Sequence, residues 1–190
     1  MADTTTGTSG LDVVDELMTD HREVRALLDE ILATTDAAAR RDLADTAITE
    51  LVRHAVAEEM YVYPAMRKHL PDGEKEVEHD TEEHKQLEET MKQLEAVEAS
   101  EARFDQLLRD MTEQLRHHAS DEENEQFPQL RERVPHEELV QLREKVQTAK
   151  KLAPTRPHPN APNNQLFHKL VGPGVGLVDR LRDRLADRSS

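Results

Sequence analysis

The chain has 190 residues, of which 34% are charged and only 3% aromatic, and it contains neither Trp nor Cys. This composition is typical of long, solvent-facing helices and argues against a β-sandwich, whose strands are rich in aromatic and β-branched residues. The net charge of −15 would repel nucleic acid and anionic membranes, and the lack of Cys excludes disulfides, thiolate metal sites and cysteine nucleophiles. We therefore expect an all-α protein with no nucleic-acid partner.

The sequence also predicts the cellular compartment of the protein. The N-terminal stretch MADTTTGTSG lacks the basic region and apolar core of a secretory signal. No apolar run approaches the roughly 20 residues that span a bilayer. These features predict a cytoplasmic protein without a transmembrane segment.

Apolar residues recur at helical spacing through four segments. Residues 1–10 are rich in Thr, Gly and Ser and are predicted to be disordered. The predicted helices then span residues of about 12–34, 38–70, 74–98 and 100–131. The connections between them are short, so consecutive helices should be antiparallel neighbours. The pattern predicts an up-down-up-down four-helix bundle over residues 11–134.

Three further segments follow the predicted bundle. Residues 135–151 are predicted to form an additional helix, and residues 152–174 are a linker rich in Pro, Asn and Gly. Residues 175–190 are predicted to form a short amphipathic C-terminal helix. Its interleaved Arg and Asp residues favour docking on the bundle, on a second copy or on a protein partner over binding to lipid.

Each of the four predicted helices places ionisable residues in a row whose other members are apolar. His21, for example, lies between Leu17 and Val24 in such a row. The other three helices contribute His54 and Glu58, Asp80 and His84, and His118 and Glu122. Burying such groups without partners costs several kcal/mol each. A shared cation would offset this desolvation, because carboxylates and neutral imidazoles are metal ligands; the alternative is a hydrogen-bonded polar layer without metal.

An internal repeat supports the interpretation of these residues as metal ligands. The segments 54–64 and 118–128 both fit the pattern HxxxEExxx[Y/F]P and lie 64 residues apart, while His21 and His84 lie 63 apart. In HxxxE the two side chains share one helix face, one turn apart. An imidazole can then bind one metal while the carboxylate bridges to a second. The repeat therefore predicts a cradle for two metal ions, bridged by Glu58 and Glu122.

Three more polar residues are candidates to bind or contact the metals. Asp80 lies four residues before His84, on the same face, and could be a seventh ligand. Its counterpart Leu17 is apolar, which would make the two metals inequivalent and leave one with an open coordination position. Tyr61 and Glu125 occupy equivalent places in the repeat, one turn beyond the bridging carboxylates. For both of them the alternative is a solvated helix end.

At these residues the sequence resembles the hemerythrin-like, or HHE cation-binding, family, over roughly residues 11–131. The resemblance implies a left-handed four-helix bundle around a non-haem di-iron centre. The residues that match the family's ligand positions are His21, His54, Glu58, His84, His118 and Glu122. Mn and Zn are the alternatives to Fe. The tail beyond the bundle resembles extensions of actinobacterial members.

The sequence departs from oxygen-carrying hemerythrins in two helices. Those proteins have HxxxH in the third helix, where this chain has Asp80 and His84. They have HxxxxD in the fourth helix, where this chain has His118 and Glu122. A more anionic site should favour the ferric state, which argues against simple reversible O₂ storage.

Three functions are compatible with this sequence. The first is a di-iron protein that binds or senses O₂, NO or a related small ligand, or iron or redox state. The second is a di-iron enzyme that decomposes hydrogen peroxide or reduces NO. The third is a metal-independent helical scaffold whose C-terminal helix recruits a partner. The first is preferred, because the site is rich in His and has a candidate open coordination position.

Overall fold

The computed structural model describes residues 10–152. All regular structure in this part of the chain is helical. The elements are α1 (Val13–Ala33), α2 (Ala37–Ala57), a π-helical turn (Glu58–Val62), α3 (Tyr63–His69), α4 (Gly73–Glu95), α5 (Ala102–Asp121), a second π-helical turn (Glu122–Gln126), α6 (Phe127–Arg133) and α7 (His136–Leu152). The predicted N-terminal disorder, the linker and the C-terminal helix fall almost entirely on residues 1–9 and 153–190, which lie outside the described residues.

Four rods form the bundle: α1, α2 continued by α3, α4, and α5 continued by α6. Helix α1 packs on α2 and α5, while α4 packs on α5, α2 and α3. The predicted all-α four-helix bundle is confirmed. The second and fourth rods differ from the prediction because each is interrupted by a π-helical turn just before a proline, Pro64 or Pro128. Proline cannot donate to the carbonyl four residues earlier, and the wider turn accommodates this loss.

The bundle contains two apolar clusters with a polar layer between them. One cluster includes Val14, Val77 and Leu130, and the other includes Leu28 and Phe104. The buried polar and charged residues of the bundle centre are His21, His54, Glu58, Asp80, His118, Glu122 and Gln126. Such a layer inside a dry core requires internal partners for its charges.

Helix α7 packs across α1 and α2 outside the four rods. Its inward row is Leu139, Leu142, Val146 and Ala149, all buried. The structure thus has a docked helix where the sequence predicted an additional helical segment. No helix in the described part of the chain is both long and apolar enough to cross a bilayer.

The start of α4 depends on a glycine. A Cβ added to Gly73 would meet the Met66 carbonyl and lie 2.9 Å from the Cα of Arg67, both backbone groups that cannot easily move. We expect Gly73→Ala to lower the free energy of unfolding by about 1–3 kcal/mol, as overpacked sites do. Urea unfolding measures this. Gly10→Ala is the matched control, since a Cβ at Gly10 meets nothing within 4 Å; equal midpoints for the two variants would contradict the expected clash.

Candidate metal centre

The structure brings the six predicted ligands together in the polar layer. Each of the four rods contributes: His21 lies in α1, His84 in α4, and His54 and His118 in the last turns of α2 and α5. The two glutamates are the first residues of the two π-helical turns. Their carboxylates are fully buried, and the four histidines are at most 9% exposed.

The first half of the centre is formed by α1 and α2. The Nε2 atoms of His21 and His54 face each other at 3.1 Å. The His54 Nε2 lies 3.2 Å from Glu58 Oε1, and the His21 Nε2 lies 3.2 Å from Glu122 Oε2. Two nitrogens and two carboxylate oxygens therefore converge on one point.

The second half repeats this arrangement with α4 and α5. The Nε2 atoms of His84 and His118 face each other at 3.1 Å. The other oxygen of Glu58, Oε2, lies 3.3 Å from the His84 Nε2, and Glu122 Oε2 lies 3.6 Å from the His118 Nε2. Glu58 thus presents one oxygen to each half, and Glu122 presents the same oxygen to both.

This donor set fits metal ions better than a network of hydrogen bonds. None of the four carboxylate oxygens of Glu58 and Glu122 has a hydrogen-bond partner. A buried carboxylate left in this way costs several kcal/mol unless a cation compensates it. Donors bound to one ion at about 2.0–2.2 Å lie roughly 3.0–3.5 Å apart. The separations between donor atoms are 3.1–3.2 Å in the first half of the centre and 3.1–3.6 Å in the second, close to that spacing, so the residues fit two bridged cations.

Carboxylates outside the centre orient three of the imidazoles. The Nδ1 atoms of His21, His54 and His118 lie 2.9, 3.1 and 2.9 Å from Glu123, Asp20 and Glu83, respectively. A carboxylate accepts the Nδ1 proton and leaves the lone pair on Nε2, where a metal is bound. Two facing lone pairs at 3.1 Å repel each other unless a proton or a cation lies between them. The outer carboxylates thus prepare the inner nitrogens for a metal.

His84 is the least constrained of the four histidines. Its Nδ1 lies 3.7 Å from Glu59 Oε1, the position equivalent to Glu123 in the repeat. The hydroxyl of Tyr63 lies 3.3 Å from both ring nitrogens of His84. Beside His84 the Tyr63 hydroxyl therefore partly replaces the kind of contact that the Glu123 carboxylate makes with His21.

The protonation equilibria show that the centre attracts positive charge. Burial alone would lower the pKa of His54, but the charge of Glu58 and the hydrogen bond to Asp20 raise it to about 10. Burial would also lower the pKa of His84, but its interactions with the carboxylates of Glu58 and Glu59 outweigh burial and raise this pKa to about 10. Burial would raise the pKa of Glu58, yet the two imidazoles hold it well below its usual value. A metal that replaces these protons must therefore release them on binding.

One end of the centre is more polar than the other. Asp80 is fully buried; its Oδ1 accepts a hydrogen bond of 2.9 Å from Gln126, and its Oδ2 has no hydrogen-bond partner. Burial raises the pKa of Asp80 to about 7, although the bond from Gln126 opposes this. At the equivalent positions of the repeat stand the apolar Leu17 and Val62. The two halves of the centre are therefore inequivalent, with the additional polar group Asp80 near His118.

The two π-helical turns decide which aromatic residues face the centre. Each turn shifts the register, so Tyr63 contacts His84 and its repeat partner Phe127 stacks on His21, with ring centroids 6.0 Å apart. Tyr61 instead packs, partly buried, against one of the apolar clusters. Glu125 is exposed. The structure therefore places neither Tyr61 nor Glu125 among the convergent groups.

Sequence reasoning missed most of the carboxylates that orient the imidazoles. Asp20 and Glu83 each directly precede a ligand in the two halves of the repeat, and Glu123 directly follows one. This recurrent acidic neighbour was a usable signal. The contact of Lys150 with Asp20 was not predictable, because Lys150 comes from α7. The same ammonium group also contacts Glu16 Oε1 at 3.3 Å. Helix α7 thereby supports the carboxylate that holds His54.

Removal of an orienting carboxylate should weaken metal binding without unfolding the bundle. We expect Asp20→Asn and Glu83→Gln each to weaken metal affinity by about 10–100-fold, as losses of such partners typically do. Competition with a coloured chelator measures the affinity. Glu125→Gln is the control, since this exposed residue should leave the affinity unchanged. Parental affinity in both test variants would show that these carboxylates do not orient the ligands.

A small cavity adjoins the second half of the centre. It has a volume of about 20 Å³ and is bordered by the imidazoles of His54, His84 and His118. The rest of its lining is Leu51, Ala55, Leu87, Met91 and Leu115. This volume suffices for about one water-sized molecule.

The chain is a four-helix bundle whose rods direct His and Glu side chains to one buried centre. This arrangement is typical of a class of cation-binding helical proteins. Residues 12–130 match the family described as Hemerythrin HHE cation binding domain. The chain belongs to this family, and the predicted resemblance is confirmed.

Individual relatives agree with this assignment. An uncharacterized hemerythrin-like protein of Schizosaccharomyces pombe is 30% identical over 91% of this chain and 86% of its own length. The crystal structure of a hemerythrin HHE cation binding domain-containing protein from Mycobacterium kansasii superposes with a TM-score of 0.67 at 21% identity, covering 90% of this chain and 99% of that one. A protein of Nostoc named DNA nickase is 24% identical over 74% of this chain but only 39% of its own length. The structural match supports the fold alone.

Proposed function

We propose that His21, His54, His84 and His118, with the bridging Glu58 and Glu122, hold two iron ions, and that the protein uses them to bind a small ligand such as O₂ or NO. Bound iron would supply a redox-active centre that coordinates such a ligand. Imidazole and carboxylate donors suit iron, and also Mn and Zn. The buried Asp80 adds a further carboxylate at one end, which favours the harder ferric ion.

The observation that best supports binding of a small ligand is the cavity beside the second half of the centre. Its volume of about 20 Å³ suffices for about one water-sized molecule, which favours a ligand of very small size. Leu51, Leu87, Met91 and Leu115 make its other walls apolar, which suits an uncharged ligand. The adjoining imidazoles of His84 and His118 place such a ligand next to one metal position.

The polar end of the centre favours a second candidate, the decomposition of peroxide. The Tyr63 hydroxyl lies 3.3 Å from the His84 ring nitrogens. Asp80 has an oxygen without a hydrogen-bond partner and a pKa near neutrality. Both groups can hold a proton beside the same metal position, as cleavage of an O–O bond requires. Reduction of NO would draw on the same groups.

Optical spectroscopy of the iron-loaded protein tests the principal proposal. Ferrous protein exposed to O₂ or NO, and ferric protein exposed to azide, should develop new absorption bands, because each ligand enters the coordination of iron. His54→Ala should lose these bands, whereas His69→Ala should keep them, since His69 pairs with Glu138 on the bundle surface. Absence of any spectral response in the parental protein would overturn ligand binding.

Oxygen evolution from hydrogen peroxide tests the second candidate. The iron-loaded protein should evolve O₂ faster than the same amount of free iron, and Tyr63→Phe should slow this reaction while retaining the iron. Turnover no faster than free iron would exclude peroxide decomposition. Metal analysis of protein purified without added iron separates both candidates from a metal-independent scaffold, which would contain no stoichiometric metal.

A further inference from the structure

A second group of metal-ligand residues lies on the surface between α4 and α5. It consists of His79 and Glu83 on α4 and His117 and Asp121 on α5. The His117 Nδ1 lies 2.9 Å from Glu83 Oε1 and 3.5 Å from Asp121 Oδ2. The His79 Nε2 lies 3.5 Å from the same two oxygens. Two nitrogens thus face the same pair of carboxylate oxygens.

The helical spacing makes this group a pair of chelates. Each helix supplies a histidine and a carboxylate four residues apart, which places both side chains on one face. Donors around one ion bound at about 2.0–2.2 Å lie roughly 3.0–3.5 Å apart, and the four separations between the histidine nitrogens and the carboxylate oxygens of this group are 2.9–3.5 Å. The histidines are 50% and 64% exposed at the edge of a solvent-open hollow of about 360 Å³, so an ion can enter.

The internal repeat shows what occupies the equivalent place in the other half of the bundle. The counterparts of His79 and Glu83 are Glu16 and Asp20. There the ammonium group of Lys150, supplied by α7, contacts both carboxylates. On this face of the bundle the chain itself therefore supplies a cation, the Lys150 ammonium group, beside the Asp20 carboxylate that orients His54. The face between α4 and α5 has two imidazoles and solvent instead.

We propose that His79, Glu83, His117 and Asp121 form a separate surface site for one divalent transition-metal ion of the Zn²⁺ or Fe²⁺ type. Imidazole and carboxylate donors in this number suit such ions. Glu83 connects this site to the buried centre, because its Oε2 lies 2.9 Å from the Nδ1 of His118 while its Oε1 faces the surface histidines. An ion at the surface takes the place that Lys150 has in the other half.

Zinc binding to the full-length protein, with its buried centre first loaded with iron, tests this site. After gel filtration in dilute Zn²⁺, elemental analysis should find one zinc ion fewer per chain in His79→Ala/His117→Ala than in the parental protein. The matched control, His69→Ala/His136→Ala, also removes two histidines and should bind as much zinc as the parent. Equal zinc content in all three proteins would overturn the proposal.

Zinc X-ray absorption gives a second readout that does not depend on counting ions. The parental spectrum should contain a component with two imidazoles and carboxylate oxygens, and this component should be absent from His79→Ala/His117→Ala. A spectrum that is identical in both proteins would contradict the site. The iron content should be the same in both, so failure of the buried centre would appear as missing iron in every protein and would leave the difference in zinc readable.

Discussion

Glu58→Gln is expected to abolish the two-ion centre. Glu58 presents one oxygen to His54 and the other to His84, so a single substitution removes a donor from both metal positions. Loss of an outer partner of a ligand alone weakens binding by about 10–100-fold, and loss of a bridging ligand should exceed that. Metal analysis after gel filtration should fall from two ions per chain to one or fewer in the buried centre.

A stability measurement distinguishes lost coordination from misfolding in this variant. In the metal-free protein the Glu58 carboxylate is paired with the imidazoles of His54 and His84, and removing one partner of a buried pair typically costs about 3–5 kcal/mol. The metal-free variant should therefore unfold at a lower urea concentration than the metal-free parent, but in one cooperative transition from a helical folded state. Glu125→Gln, an exposed change, should retain both ions. Two tightly bound ions in Glu58→Gln would show that this residue is no bridge.

Removal of the metals from the parental protein is expected to lower the temperature of unfolding markedly. In the proposed centre the metals would bind only the folded arrangement, because the candidate ligands come from four different rods. A site at 1,000-fold excess of free metal over its dissociation constant adds about 4 kcal/mol. For a chain of this size each kcal/mol shifts the transition by about 2–4 °C, so chelation should lower it by about 8–16 °C.

Differential scanning calorimetry with and without chelator measures this shift. The same treatment of Glu58→Gln provides the control, since a variant without the centre should show little change. A parental transition that is unaffected by complete metal removal would contradict the role of the ions as partners of the buried carboxylates.

The convergence of the candidate ligands was predictable because much of its geometry is local. Residues four positions apart in a helix lie on the same face. This spacing alone therefore places His54 with Glu58, and His118 with Glu122. Each pair lies in a row of apolar residues, so the face had to be the buried one. The lone His21 required the same row argument and no knowledge of how the helices pair.

The surroundings of the ligands were less predictable because they depend on register and on distant contacts. The π-helical turn after Glu58 brings Tyr63 rather than Tyr61 to His84. Pro64 was the signal of this break, but whether a proline bends, ends or widens a helix depends on packing. The contact of Lys150 with Asp20 depends on how α7 docks, which local spacing does not specify.

Anomalous diffraction at the iron absorption edge, on crystals of the iron-loaded protein, tests the central claim most directly. We predict two peaks about 3.5–4 Å apart inside the bundle, one between His21 and His54 and the other between His84 and His118, with Glu58 between them. A single peak, or iron bound only at the protein surface, would contradict the two-metal centre.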